Sequence, residues 1–309
     1  MPDAGSVGLW AVPLALFGGA IRVSTPFIFV SLGECLTEKS GRINLGLEGT
    51  LIMGAMSGYA LSYLSGSSLL GVLAAGFVGS IFGLIHAWLC SRPRVNDIAV
   101  GIGLMLFGTG LAFFLGKPYI QPTAPQLPVI NLGWWSNIPQ VREALKINAL
   151  FVIGALLAPA MLWMLNRTRW GLIVRTVGES TDAARAMGYS INTVRAIATA
   201  AGGFLAGMGG SFLSLCYPGS WSEGLSSGQG LMAVALVIFA RWNPMNCLYA
   251  ALLFGAAGAL APALQSVGVT SYRYMFIAAP YMMTLVIMIM TSSRTRTMVG
   301  VPAELTVSR

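Results

Sequence analysis

Three polar stretches interrupt an otherwise apolar sequence, and each carries residue types that could do chemistry. The first is Ser40-Gly-Arg-Ile-Asn-Leu-Gly-Leu-Glu-Gly49. It holds three glycines, Asn44 and Glu48 where a plain turn would suffice. Glycine lets a chain break helix, and broken backbone at membrane depth is tolerated only where it lines a cavity or is buried in protein. A carboxylate inside a membrane is a functional candidate by default. Two readings stand side by side: a cavity or gate that includes Asn44 and Glu48, or a cytoplasmic turn in which Glu48 caps the helix that follows.

The second stretch is Thr176-Val-Gly-Glu-Ser-Thr-Asp-Ala-Ala-Arg-Ala-Met-Gly-Tyr-Ser190. Ser180, Thr181 or Asp182 can cap a short helix, and Gly188 can end it. Ala183, Ala184, Ala186 and Met187 would make that helix a small amphipathic knob, suited to a groove on a partner. An ordinary loop is the competing reading. The third stretch, Gly224-Leu-Ser-Ser-Gly-Gln-Gly230, formally contains G-x-S-x-G. A nucleophile elbow needs a strand before it and a helix after it, and no strand is expected here. The only histidine, His86, is expected near the cytoplasmic end of its span and Ser226 near the outer side. Groups at different depths cannot share a proton, so an intramembrane hydrolase is a remote third reading. One histidine without H-E-x-x-H offers no metal site, and no G-x-x-x-x-G-K-[ST] loop is present to bind ATP.

The elements that must hold these stretches are membrane helices. The residues are 56% hydrophobic and 9% charged, against roughly 25% charged in soluble domains. Water would not tolerate that surface, whereas a bilayer is its solvent. The expected fold is all-α, a polytopic membrane protein of about eight to ten transmembrane helices, some broken or re-entrant, in one membrane domain over 1–309. Candidate spans are 8–33, 45–64, 68–90, 97–116, 147–165, 195–216, 228–240, 247–266 and 274–291. The run 228–240 is short enough to be part of a broken element.

The net charge of +8 is a topology signal, because Lys and Arg concentrate on cytoplasmic loops. Segment 166–195, with Arg167, Arg169, Arg175, Arg185 and Arg195, is therefore placed inside. Lys39 with Arg42, Arg92 with Arg94, Arg241, and Arg294 with Arg296 then also fall inside, and loop 117–146 falls outside. The N-terminus is outside if the first run crosses once. Arginines scattered between apolar runs do not form the basic stripe that nucleic acid requires. Gly54-xxx-Gly58 and Gly203-xxx-Gly207 suit close helix packing. Cys35, Cys90, Cys216 and Cys247 lack C-x-x-C spacing and suggest no disulfide framework.

Taken together, the three stretches resemble the permease subunits of ABC importers of the branched-chain amino acid, ribose and nucleoside superfamily, above all the shorter permease of nucleoside and simple-sugar systems. Residues 34–49 resemble that family's first motif, 176–191 its cytoplasmic coupling segment, and 236–244 (Leu-Val-Ile-Phe-Ala-Arg-Trp-Asn-Pro) its late-loop motif. Order and spacing agree over most of 15–290. The resemblance implies a coupling helix at Glu179, Asp182, Ala183, Ala184, Arg185, Ala186, Met187 and Gly188, seated in a separate ATPase. It also implies a translocation path near Asn44, Glu48, Asn96, Asp97 and Met105. This chain would itself carry no cofactor, with ATP and Mg on the partner ATPase. It would not be an enzyme. The other partners would be a second, related permease forming a heterodimer and an extracytoplasmic substrate-binding protein docking on loops such as 117–146 and 217–229. The location would be a bacterial inner membrane, multi-pass.

Two departures bear on substrate. Met105 stands where nucleoside-type relatives often carry Asn, and Gln229 where a more basic residue is expected. A lost amide removes a possible bond to a polar ligand, so nucleosides, simple sugars and heterocycles such as riboflavin all remain open. The alternative reading, an ion-coupled secondary carrier, would need several intramembrane ionisable groups, and few exist beyond Glu34 and Glu48. On the importer reading, Ala184→Arg should abolish uptake while the spans still assemble, and normal uptake by that variant would count against it.

Overall fold

The computed structural model describes residues 11–120, 122–137, 139–265, 275–276, 278–291 and 300–306. Arg294, Arg296, and the span limits expected at 8–10, 266 and 274 lie outside the described residues.

Apolar runs become helices here because a helix satisfies its own backbone bonds without water. The first run is one helix, α1 (Ala11–Lys39), despite Pro26 inside it. The Ser24 and Thr25 hydroxyls donate back to the Ile21 carbonyl at 3.1 and 2.8 Å near that proline. A non-helical climb over 42–46 leads to α2 (Leu47–Ser65), followed by α3 (Ser68–Cys90) and α4 (Asp97–Gly116). The connection to the next span carries a 3-10 turn at Lys117–Tyr119 and an antiparallel pair, β1 (Val129–Asn131) with β2 (Lys146–Asn148), in which Ile130 faces Ile147. The short helix α5 (Pro139–Ala144) lies between these strands. Then come α6 (Ala149–Arg167), α7 (Arg169–Glu179), α8 (Thr181–Ala186) and α9 (Ile191–Leu215). The last helices are α10 (Gln229–Phe239), α11 (Pro244–Gln265), α12 (Ala279–Thr291) and α13 (Ala303–Thr306).

The protein is an all-α polytopic membrane protein. Among the described residues six helices are long and apolar enough to cross a bilayer: α1, α3, α4 with its 3-10 extension, α6, α9 and α11. Three further apolar helices, α2, α10 and α12, lie outside that set. Helix α2 has 19 residues but is rich in Gly, Ser and Tyr, and 13 of those residues are buried. It meets protein rather than lipid, so it escapes lipid's demand for apolar side chains. Helix α10 has only 11 residues, about 16 Å of rise, and the described part of α12 has 13.

Helices α3, α4 and α6 form the outer surface. Leu73, Phe77 and Leu84 on α3, Leu106 and Phe114 on α4 and Leu156 on α6 are all exposed. A soluble protein does not present so large an apolar face. The polar connections sort to two ends. Lys39 reaches the Gly300 carbonyl, Arg42 reaches the end of α3, and Arg195 reaches the Ser40 carbonyl, so the basic segments share one end. At the other end Tyr59 donates to the Pro122 carbonyl and the N–H of Leu127 to the Leu215 carbonyl, and Gly18 abuts Ala144. Since α1 crosses once, its Ala11 end lies with the 117–148 connection.

Helix α9 is the hub, packing on α1, α2 and α3. These approaches are backbone to backbone. A Cβ on Gly79 of α3 would strike the Gly203 carbonyl of α9, and one on Gly203 would strike the Gly79 carbonyl. Gly54 likewise faces the Gly207 backbone. The two small-residue motifs are thus used for packing within the chain. Gly79→Leu should cost about 1–3 kcal/mol or more by overpacking, read as a lower melting temperature of purified protein. Gly103→Ala, where a Cβ meets nothing within 4 Å, should be neutral to slightly stabilising.

Candidate functional site

Two helices start inside the bundle, and one carboxylate joins them. Glu48, in the first turn of α2, accepts a bond from Ser226 Oγ at 2.5 Å and from the Gly228 N–H at 3.0 Å. Its other oxygen accepts from the Gly230 N–H at 2.6 Å. Gly228 is the residue before α10 and has φ +83°, with no side-chain cap of its own. A helix start leaves N–H groups unsatisfied and carries partial positive charge, so Glu48 supplies from α2 the cap that α10 lacks. The turn reading, with Glu48 capping the helix after it, is not what the structure shows. The α2 start is served instead by Asn44, whose Oδ1 accepts the Gly46 N–H at 3.0 Å.

The chain reaches α10 without helix. Trp221 is buried against Gly116 at the far end of α4, while Ser226 already lies beside Glu48. Residues 217–228 therefore run from one end of the bundle into its interior, and α10 completes the crossing. This is the broken element that the short run 228–240 suggested. Two atoms on this path, Trp221 Nε1 and Gln229 Oε1, are buried without a protein partner. A buried unpaired polar group is costly, and both of these lie at the helix break. Sequence reasoning did not single out Trp221; its place in a Gly- and Ser-rich break was the available signal.

The lower turn is pinned in the same way. The Asn44 N–H donates to Glu34 of α1 at 2.7 Å. Arg42 donates to Asp97 Oδ1 at 2.5 Å and to the Cys90 carbonyl at 2.5 Å, closing the exposed carbonyl end of α3. Trp242 donates its indole N–H to Glu38, one turn below Glu34. Arg241 and Trp242 hold φ of +52° and +53°, a conformation uncommon for large side chains. The bond to Glu38 is what the buried Trp242 gains from it.

The expected path residues separate. Asn44 and Glu48 are buried in the interrupted backbone. Asn96 is exposed and caps α4, accepting from the Ile98 and Ala99 N–H groups at 2.9 and 3.1 Å. Asp97 is the partner of Arg42. Met105 is half-buried beside Gly49, where α2 and α4 cross. Ser226 is bonded to Glu48, while His86 has the Cys90 sulfur at 3.7 Å. No Ser–His pair forms, and all four cysteines are free.

At the basic end α8 is a compact knob. Ser180 Oγ accepts the Ala183 N–H at 3.2 Å. The Tyr189 N–H closes on the Ala184 carbonyl and the Gly188 N–H on the Arg185 carbonyl, a Schellman end with Gly188 at φ +81°. Asp182, Ala183, Arg185, Ala186, Met187 and Gly188 are exposed, as is Glu179 just before the helix. Ala184 is the exception at 0% exposure, because its methyl seats the knob on the rest of the chain. Ala184→Arg therefore attacks the seat rather than an outward surface, and it does not isolate a partner contact. The C-terminal turn clasps the same junction. Glu304 accepts the Thr181 N–H at 3.1 Å and pairs with Arg195 at 3.3 Å. Burial raises its carboxyl, but the Thr181 N–H and Arg195 outweigh that and hold it below the usual carboxylate range.

Interrupted helices and a projecting knob distinguish this multi-pass helical bundle. Residues 16–291 match the family described as branched-chain amino acid transport system, permease component. The chain belongs to that family of permeases, and it is not an enzyme. It is 34% identical over 256 residues to a putative glucose ABC transporter permease, TsgC13, of Haloferax volcanii, covering 81% of this chain and 78% of the relative. It is 29% identical over 285 residues to the nucleoside ABC transporter permease NupC of Lactococcus lactis, covering 86% and 88%. It is 29% identical over 282 residues to the guanosine ABC transporter permease NupQ of Bacillus subtilis, covering 85% and 87%.

The Glu48 clamp sets a graded series. Glu48→Ala strands three donors and should cost about 3 kcal/mol or more, because bonds to a charged acceptor are the strong ones. Ser226→Ala removes one donor and should cost about 1 kcal/mol. Glu48→Gln, which keeps one acceptor, should fall between them in denaturation of the purified protein.

Proposed function

We propose that this chain is one permease subunit of an ATP-driven importer for a nucleoside or a simple sugar, in a bacterial inner membrane. The relatives named for glucose, nucleoside and guanosine transport support the substrate class. A single observation carries the coupling role: α8 is capped at both ends, seated by one buried methyl, and exposed at Asp182, Ala183, Arg185 and Ala186. A rigid, small-residue knob of this kind suits insertion into a groove on a partner. That partner is a separate ATPase holding ATP and Mg. Its closure pushes α8, and α8 is continuous through α7 and α9 with the spans.

A second, related permease completes the pathway, and an external binding protein delivers solute to loops 117–146 and 217–229. The interrupted backbone at 42–48 and 217–230 is the solute's route. Irregular backbone lining a path is the form that discontinuous helices take in other transporters, and the unpaired Trp221 and Gln229 atoms supply polar contacts there.

The test uses the whole complex in proteoliposomes, with ATP inside and binding protein outside. Met187→Asp, which changes an exposed residue, should lower ATP-driven uptake at least tenfold while leaving the melting temperature of the chain unchanged. Uptake by the isolated chain, driven by an ion gradient without ATP, would overturn the proposal.

A further inference from the structure

A cavity of about 860 Å³ opens at the basic end, between the 91–97 connection, the turn at 41–43, the start of α8, the 189–192 segment and α13. Five arginines line it against two carboxylates. Arg42 is matched by Asp97 and Arg195 by Glu304. Three guanidinium groups remain in excess: Arg92, Arg94 and Arg185. Arg185 has only an exposed pairing to Asp182 at 3.3 Å, the kind of surface pair worth little. Arg92 lies over the Trp88 ring at 4.8 Å, a contact that uses its face and is not an ion pair. Arg94 has no ion pair among the described residues and holds φ +66°. Left-handed backbone at a non-glycine residue is uncommon and clusters at ligand clamps.

Buried Arg42 adds a second, independent sign. It is 3% exposed and lines the cavity, and its Nε donor has no partner. An arginine already bonded to Asp97 and Cys90 thus keeps a buried donor without a protein partner beneath the cavity. Planar guanidinium forks match phosphate and carboxylate oxygens bidentately, and a cluster of three suits the double charge of a phosphate ester. The volume falls within the range of small-molecule sites. Basic pockets beside membrane helices also take phospholipid headgroups.

We propose that this cavity binds a phosphate ester, held by Arg92, Arg94 and Arg185 with Arg42 behind them. Two sources carry that chemistry: the headgroup of an anionic phospholipid, or a soluble phosphorylated metabolite. Either would join the 91–97 connection to α8 through charge, so occupancy would hold the knob in one position. The binding chemistry does not rest on the importer reading.

The experiment uses the full chain in nanodiscs. In one arm, ribose 5-phosphate and inorganic phosphate are titrated against protein in phosphatidylcholine discs, with glutamate as a carboxylate control. In the other, thermal stability is compared between phosphatidylcholine and phosphatidylglycerol discs. The double variant Arg92→Gln, Arg94→Gln alters two exposed side chains, and its unliganded melting temperature reports whether it is folded. Single variants serve if the double variant is not. A saturable response to phosphate ester that weakens at least tenfold in the variants supports a soluble ligand. A stabilisation by phosphatidylglycerol that the variants lose supports a lipid. No response in either arm, a response equally strong to glutamate, or one unchanged in the variants overturns the proposal.

Discussion

A chain that breaks helix among apolar helices must find partners for its own backbone, because neither lipid nor a packed core supplies them. Four of the charged and amide residues buried in this permease answer that demand. Glu48 serves the start of α10, Asn44 the start of α2, Glu34 the Asn44 amide, and Arg42 the carbonyl end of α3. Residues that look like ligands in a linear sequence are thereby committed to the scaffold. The interruptions persist because a charged or amide side chain from a neighbouring element closes each one.

The glycine contacts are the other half of the same arrangement. Side chains can reach across to a foreign helix terminus only if the helix axes are close. The approaches of α9 to α2 and α3 are close because glycine carbonyls meet glycine Cα atoms. Tight packing at the hub leaves α3, α4 and α6 to face lipid, where volume is unconstrained. Polarity and density are concentrated in α1, α2 and α9, and the apolar bulk forms a sheath around them.

Much of this was legible in the sequence. Composition alone gave the membrane class, and the order of basic and apolar segments gave the two ends. The three cap candidates at 180–182 and Gly188 bracketed α8, with Ser180 the one used, because both caps are local chemistry. What was not legible is long-range. Nothing in Glu48 itself says that its donors lie at 226–230, and nothing in the run of alanines says that Ala184 turns inward while Ala183 and Ala186 turn out. Length and hydropathy pick out only the helices that are both long and strongly apolar. Helix α2, wrapped in protein, and the short α10 escape that criterion.

The Glu48 clamp has a consequence for how the protein is made. The carboxylate emerges from the ribosome with α2, but the Gly230 amide that it bonds lies 182 residues further along the chain. At synthesis rates of about 5–20 residues per second, the interval is roughly 10–35 s. For that time α2, with its Ser, Tyr and Glu side chains, lacks its covering from α10, and for most of it the covering from α9 as well. It must wait near the surface or in the insertion machinery. Completion of this bundle is thus timed by the arrival of the last third of the chain.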